Sequence, residues 1–221
     1  MNILYEDKDI VVAEKPAGLP VQTRNINQVD MVSILKNHLS GKTGGEPYLG
    51  IIHRLDQPVR GILVFALNEK AAGSLSKQIA ERRFEKHYYA VVEGILDSKE
   101  RIELKDYIAK TKENTAKIVN KGVKDAKEAV LFYTVLDTDA ENKQTLLDIE
   151  LMTGRFHQIR AQLSNAGFPI EGDIKYGAKP DNGIQNRAIK LCAYHLCFDH
   201  PQTGKRMEFC LDVREGFEFH H

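Results

Sequence analysis

The segment His53-Arg54-Leu55-Asp56 sets a carboxylate beside two side chains that can carry positive charge. It follows the apolar pair Ile51-Ile52 and precedes Gln57-Pro58, where the backbone must leave regular structure. A carboxylate carried from a strand end into a loop is placed to meet a ligand as nucleophile, base or charge partner. An aspartate that only closes an Asx-turn would look the same. A second group is Thr153-Gly154-Arg155-Phe156-His157-Gln158-Ile159-Arg160. Helical spacing there sets His157, Arg160 and Ser164 on one face and Phe156, Ile159 and Leu163 on the buried one. Arg155 and the N–H groups of a helix start suit an anion such as phosphate. Arg160 suits two-point pairing with a carboxylate, which would keep that carboxylate ionised out of water. The plain alternative is an amphipathic helix with a solvated basic face. A third candidate is Tyr88, in Lys86-His87-Tyr88-Tyr89-Ala90, where strand alternation sends the two tyrosines to opposite faces. One tyrosine can then line a cleft while the other packs in the core.

The elements that must hold these residues can be read from period and punctuation. Asp9–Lys15 reads as a strand stopped by Pro16-Ala17-Gly18, and Val29–Leu39 has helical spacing at Val29, Val32, Leu35 and Leu39. Gly61–Leu67 reads as a buried strand, and Asn68 as the cap of a helix running to about Arg83. Strand-like segments follow at Lys86–Glu93, Arg101–Ala109, Thr115–Asn120, Ala129–Leu136 and Thr145–Met152. After the helix opened by Thr153-Gly154-Arg155 and stopped at Gly167, strands at Lys190–Phe198 and Arg206–Val213 close the chain. Runs of strands with few helices between them indicate an α+β fold with a largely antiparallel or mixed sheet. No repeat, low-complexity tract or linker is visible, so one domain over residues 1–219 is expected, with His220-His221 a tail or tag remnant.

Bulk composition narrows the function classes. The 221 residues carry 31 basic and 31 acidic side chains, which argues against indiscriminate binding to nucleic acid. The charge is uneven: seven lysines against Asp106, Glu113 and Asp125 give residues 105–127 a net of +4. Residues 128–150 carry a net of −5. The lysine stretch is either a solvated face or a phosphate-facing one. No apolar run approaches the roughly 18 residues that span a bilayer, and no signal peptide is visible at the N-terminus. Three cysteines, all between Cys192 and Cys210, fit reduced thiols in the cytoplasm.

In order and spacing these segments resemble the RluA-type pseudouridine synthase family over nearly the whole chain. The resemblance rests on five motifs. They are Leu4–Gly18, His53-Arg54-Leu55-Asp56 with Gly61–Ala66, Lys86–Gly94, Thr153–Arg160, and Pro169–Asp173 with Tyr176-Gly177. It implies an α+β fold built on a bent, mainly antiparallel mixed sheet flanked by helices, with a central RNA cleft. It implies Asp56 as catalytic carboxylate, Tyr88 as active-site tyrosine and Arg160 as the arginine that pairs with the aspartate. Arg54 matches the residue that fills the gap left by a flipped nucleotide, and His53, Arg60, Arg155 and His157 join it as expected RNA contacts. Two departures stand out. Gln57-Pro58-Val59-Arg60-Gly61 replaces a small Thr-Ser-Gly, and the first strand begins too early to leave room for an N-terminal RNA-binding domain.

The implied reaction breaks the N1–C1′ bond of a uridine, rotates the base and rejoins it through C5, with no redox change, so neither cofactor nor metal is expected. Asp56 would act as nucleophile at sugar or base, or as the base that starts an elimination; both routes stay open. The expected partner is a structured rRNA or tRNA, recognised at a stem-loop by a monomer without a membrane. Three rival readings stand beside this one, and the weakest, an unrelated Asp-dependent hydrolase, needs a second acid near the first that the Asp56 segment does not supply. Cys192-Ala193-Tyr194-His195-Leu196-Cys197 has ligand-rich spacing, but alternation sends Cys192 away from His195 and Cys197, so no zinc centre is expected. A non-catalytic RNA-binding or ribosome-assembly module would be marked by loss of the Asp, Tyr or Arg, and all three are present.

Overall fold

The computed structural model describes residues 2–43, 45–180, 188–213, 216, 217 and 219; the His220-His221 tail lies outside them. In chain order the elements are β1 (Asn2–Glu6), β2 (Ile10–Lys15), α1 (Met31–Thr43), β3 (Gly50–Ile51), β4 (Arg60–Ala66), α2 (Glu69–Ala80) and β5 (Glu85–Glu93). Then come β6 (Ile102–Lys110), β7 (Ala116–Val119), β8 (Lys127–Asp139), β9 (Gln144–Leu151), α3 (Gln158–Asn165), a 3₁₀ turn at Ile174–Tyr176, β10 (Leu191–Asp199) and β11 (Arg206–Cys210). They form two compact units, one of residues 1–85 with 193–211 and one of residues 86–192 with 212–221. No helix among the described residues is long and apolar enough to cross a membrane.

In the first unit β1, β2 and β4 pair antiparallel in that order, β3 adds to β4, and β11 pairs antiparallel with β10. Ile10–Ala13 and Ile62–Ala66 are all but fully buried, so both faces of β2 and β4 are covered. This is why their sequences read as continuous apolar runs rather than alternation. Gly61 begins β4 at φ 148°, and a Cβ there would stand 2.5 Å from both the Cβ and the carbonyl oxygen of Ala193. Backbone atoms cannot step aside as a flexible side chain can. Gly61→Ala is expected to cost about 3 kcal/mol, the upper end of ordinary overpacking. A urea midpoint equal to that of the wild type would refute this.

Helix α1 starts two residues later than its periodicity suggests, because Asp30 caps it: Asp30 Oδ1 accepts the Ser33 N–H at 2.7 Å. Val29 is left exposed and Met31, Leu35 and Leu39 form the buried stripe. Helix α2 has the expected Asn68 cap, with Oδ1 accepting from the Ala71 N–H at 2.8 Å. It ends three residues short of Arg83 because Arg82 turns left-handed, at φ 58°, and the Arg83 N–H returns to the Gln78 carbonyl.

The second unit is an antiparallel run in the order β5-β9-β8-β6-β7. Strand β8 is longer than the segment 129–136 read from sequence, because a bulge between Val135 and Asp137 breaks the alternation and leaves Leu136 exposed. Helix α3 packs on β6 and β7, with Ala161 against Ile108, Ala116, Ala129 and Tyr176. Among the described residues, strands mostly paired antiparallel and three α-helices give the α+β class expected.

Candidate active site

Asp56 lies in the first unit, in a turn closed by the Val59 N–H on the Asp56 carbonyl at 3.0 Å. Leu55 beside it is buried and anchors the turn from below, while Asp56 is half-buried and Arg54 exposed. His53 is fixed as a neutral ring acceptor: its Nε2 takes the Val64 N–H at 3.3 Å, and its ring meets Phe84 edge-on. The Arg60 Nε donates to Glu14 Oε1 at 2.6 Å, so the extra cation of this turn already shares its charge with a carboxylate on β2.

One anchor of this turn is not legible in the sequence. Lys15, at the end of β2, is wholly buried, and its Nζ donates to the carbonyls of Pro16 (3.0 Å), Leu19 (2.7 Å) and Gln57 (2.9 Å). The Gln57 carbonyl also accepts the Gly18 N–H, and the Gln57 side chain donates back to the Gly18 carbonyl. An ammonium with three donors thus pins the residue that follows Asp56 to the loop after β2. Burial pushes Lys15 down to about 8, while the charge of Asp56 pulls it the other way. The unfolded chain, with lysine near its ordinary 10.5, holds more protons at this position between about pH 8 and 10.5. The contribution of Lys15 to stability therefore rises with pH through that window. Lys15→Met should leave RNA affinity intact but lower single-turnover rate about a hundredfold, as expected when a reacting group shifts by ~1 Å. A wild-type rate would show that the turn does not need this anchor.

In the second unit β5 carries Tyr88 opposite Ile149 of β9, and Tyr88 is buried. Tyr89, on the other face, is half-buried and its ring lies 6.0 Å from that of Phe217. Lys86 shares the face of Tyr88 by alternation, and burial pushes its ammonium below the usual lysine range. Its Nζ runs beside Gly154, 3.8 Å from where a Cβ would stand, which is ordinary contact distance.

The entry to α3 differs from the expectation. The helix begins at Gln158, not at Thr153-Gly154-Arg155, because His157 adopts a left-handed conformation at φ 49°. Phe156 consequently lies before the helix, 37% exposed and stacked on His157, instead of packing in the core with Ile159 and Leu163. The Arg155 N–H is taken by Gln158 Oε1, and its Nε donates to the Glu128 carbonyl. Gln158 and Gln162 bind the helix to the sheet: Gln158 Nε2 donates to Gln162 Oε1, and Gln162 Nε2 to Asp106 Oδ2 and the Leu104 carbonyl. The Tyr176 hydroxyl accepts the Ala116 N–H at 2.7 Å and shares a second hydrogen bond with His157 Nδ1 at 2.8 Å. Burial, then the charge of Arg160, pushes His157 down to about 4, so near neutrality it offers a ring and not a charge.

Arg160 does make the two-point pairing its type suggests, but among the described bonds the carboxylate is Asp173. Nε donates to Oδ2 at 2.7 Å and Nη2 to Oδ1 at 2.8 Å, with both side chains almost wholly buried. The guanidinium also lies over the Tyr176 ring at 4.7 Å. Far from forming a solvated basic face, α3 turns this cation inward.

Among the described residues, two further clusters hold metal-ligating types. Asp7, Asp9 and His200 converge, but His200 Nε2 donates to Asp7 Oδ2 while its Nδ1 accepts the N–H groups of Gln202 and Thr203. That ring is a clasp between chain segments. His195, Cys197 and Glu208 form the other cluster.

A family model described as RNA pseudouridylate synthase matches residues 9–165, a span that contains Lys15, Asp56, Tyr88 and Arg160. The chain belongs to that family. Being a pseudouridine synthase, it is an isomerase that acts on RNA. An Aquifex aeolicus protein described as an uncharacterized RNA pseudouridine synthase is 35% identical over 231 residues, covering 99% of this chain and 71% of that one. Ribosomal large subunit pseudouridine synthase D of Zymomonas mobilis is 32% identical over 228 residues, again 99% and 71%. The solved human protein RNA Pseudouridylate Synthase Domain Containing 4 superposes with a TM-score of 0.78 over 97% of this chain and 89% of its own, at 23% identity. That likeness bears on the fold. Three of the segments singled out in the sequence fall on the turn of Asp56, on strand β5, and on the entry and first turn of helix α3.

Proposed function

We propose that this pseudouridine synthase isomerises particular uridines of structured rRNA or tRNA, with Asp56 as the catalytic carboxylate. The observation that carries this reading is the turn itself: a half-buried aspartate between a buried leucine and a carbonyl held by a buried ammonium. Such bonding fixes a carboxylate in place, as a reacting group requires. In this reading Tyr88 packs on the uracil and Arg160 supplies the cation that complements the charge of Asp56. Arg54 enters the gap left by the flipped nucleotide. Arg60 and Arg155 contact phosphate with the donors that Glu14 and Glu128 leave over, and His53 and His157 offer neutral rings. Residues 1–219 act as one catalytic domain, as a monomer in the cytoplasm.

The Zymomonas mobilis relative is named for the large ribosomal subunit, which makes that RNA the first substrate to test. Tritium release from C5-labelled large-subunit rRNA and tRNA transcripts measures the reaction directly. Release from neither would overturn the substrate class. Flipping a base out of a stack costs a few kcal/mol and is cheapest where the base is unpaired, so a stem-loop is the favoured target. A short stem-loop with the right uridine should react nearly as well as the intact RNA, with binding that weakens as salt rises. An inert stem-loop beside a reactive full-length RNA would locate recognition in distant tertiary contacts. Lys117, Lys121 and Lys124 are exposed. Reversing their charge should raise the RNA concentration needed for half-saturation and leave the rate at saturation unchanged. Unchanged binding would show that the lysine stretch is only a solvated face.

A further inference from the structure

Strands β10 and β11 pair with His195 opposite Cys210 and Cys197 opposite Glu208. Opposed residues share a face, as do residues two apart on one strand, so these four side chains form a two-by-two patch. Three of them already converge. His195 Nε2 lies 2.9 Å from Glu208 Oε1 and 3.5 Å from Cys197 Sγ, and all three ligand atoms fall within 4.8 Å of one another. Around a tetrahedral zinc, bond lengths of about 2.3 Å to sulfur and about 2.1 Å to nitrogen or oxygen put S···N near ~3.6 Å and N···O near ~3.4 Å. The sulfur–nitrogen spacing is already met. The nitrogen–oxygen spacing needs only an outward swing of the Glu208 carboxylate, whose side chain is 69% exposed and able to move. Cys197 is buried and the His195 side chain nearly so, so two ligands form a fixed base and the third a mobile rim.

We propose that His195, Cys197 and Glu208 bind a divalent ion of the zinc class, with Cys210 closing the fourth position. A thiolate–imidazole–carboxylate set selects zinc or cobalt over magnesium and calcium, which prefer oxygen alone. The Cys210 thiol now reaches toward the Leu211 carbonyl at 3.8 Å, and a turn about its Cα–Cβ bond is needed to bring it over the ion. Binding sends two thiol protons to solvent and places the single ring proton of His195 on Nδ1. None of the four is assigned to the isomerisation, so the ion would staple β11 to β10 and leave the chemistry alone. The ligand-rich run from Cys192 to Cys197 hides this arrangement in the sequence, because Cys192 is the wrong third ligand. The right partners sit at Glu208-Phe209-Cys210, with the same two-residue spacing as His195-Leu196-Cys197.

The test is a titration of the metal-free full chain with cobalt(II), then displacement by zinc, in a background where His220 and His221 are alanine. One equivalent should give the visible bands of a tetrahedral ion and thiolate-to-cobalt absorption, both lost on adding zinc. Zinc should also raise the melting temperature. Cys197→Ser should abolish the thiolate absorption down to the share of Cys210, and Cys210→Ser should remove only that share. Glu208→Gln, at an exposed position that cannot threaten folding, should weaken zinc affinity by at least about tenfold. Magnesium should not compete, and isomerase activity should survive chelation. If one equivalent of cobalt gives no thiolate absorption, or if zinc affinity is unchanged in both Glu208→Gln and Cys197→Ser, His195 and Glu208 are only a cross-strand ion pair and the site does not exist.

Discussion

Asp56→Asn is expected to bind RNA as the wild type does and to release no measurable tritium from C5-labelled uridine. The amide has nearly the shape of the carboxylate, and the described contacts that set the turn run through backbone and through the side chains of neighbouring residues. Lys15 holds the Gln57 carbonyl, Val59 closes the turn through backbone, and Leu55 is buried beneath it. The substitution therefore subtracts charge and basicity while the backbone keeps its path. Either role open to Asp56, attack on the substrate or removal of a proton, requires an electron pair that an amide does not offer. A positioned group of this kind contributes on the order of a hundred- to ten-thousandfold in rate, so the loss should reach about a thousandfold. A melting temperature and an RNA dissociation constant close to wild type, measured on the same sample, would separate lost chemistry from lost structure. Wild-type-like release would remove Asp56 from the mechanism.

What the sequence disclosed and what it hid follow from the range of the interactions involved. Strands β2 and β4 are legible because both faces are buried and the apolar runs are unbroken; Asn68 is legible because a cap acts within three residues. The entry to α3 differs from its periodicity, although the spacing of Phe156, Ile159 and Leu163 is genuine. A single left-handed residue, His157, still decides that the helix starts after Phe156. Lys15 looks like a solvated strand end, and only the loop carrying Gln57, 42 residues later, turns it into a buried tripod. The inward turn of Arg160 is hidden for the same reason, since its partner Asp173 lies 13 residues on, past the end of the helix. Residue type foretold the two-point bond; nothing local could name the carboxylate.

That bond carries the second large effect. Asp173→Asn is expected to destabilise the protein by about 3–5 kcal/mol, the usual cost of removing one partner from a buried ion pair. The amide keeps one acceptor oxygen, but its NH₂ group then faces a guanidinium N–H, and the charge of Arg160 loses a buried carboxylate beside it. For a chain of this length the change corresponds to a fall in melting temperature of roughly 6–20 °C. Arg160→Lys should suffer similarly, because a single ammonium cannot span Oδ1 and Oδ2 as the planar fork does. The discriminating variant is the double replacement Arg160→Met with Asp173→Leu. Removing both charges spares the burial of either alone, so much of the lost stability should return, as when buried pairs are exchanged for apolar residues of similar volume. Activity should not return with it if Arg160 serves the reaction as well as the fold. Equal destabilisation of the single and double variants in urea would show that the pair contributes little to stability. Recovery of both stability and tritium release in the double variant would reduce Arg160 to a scaffold residue.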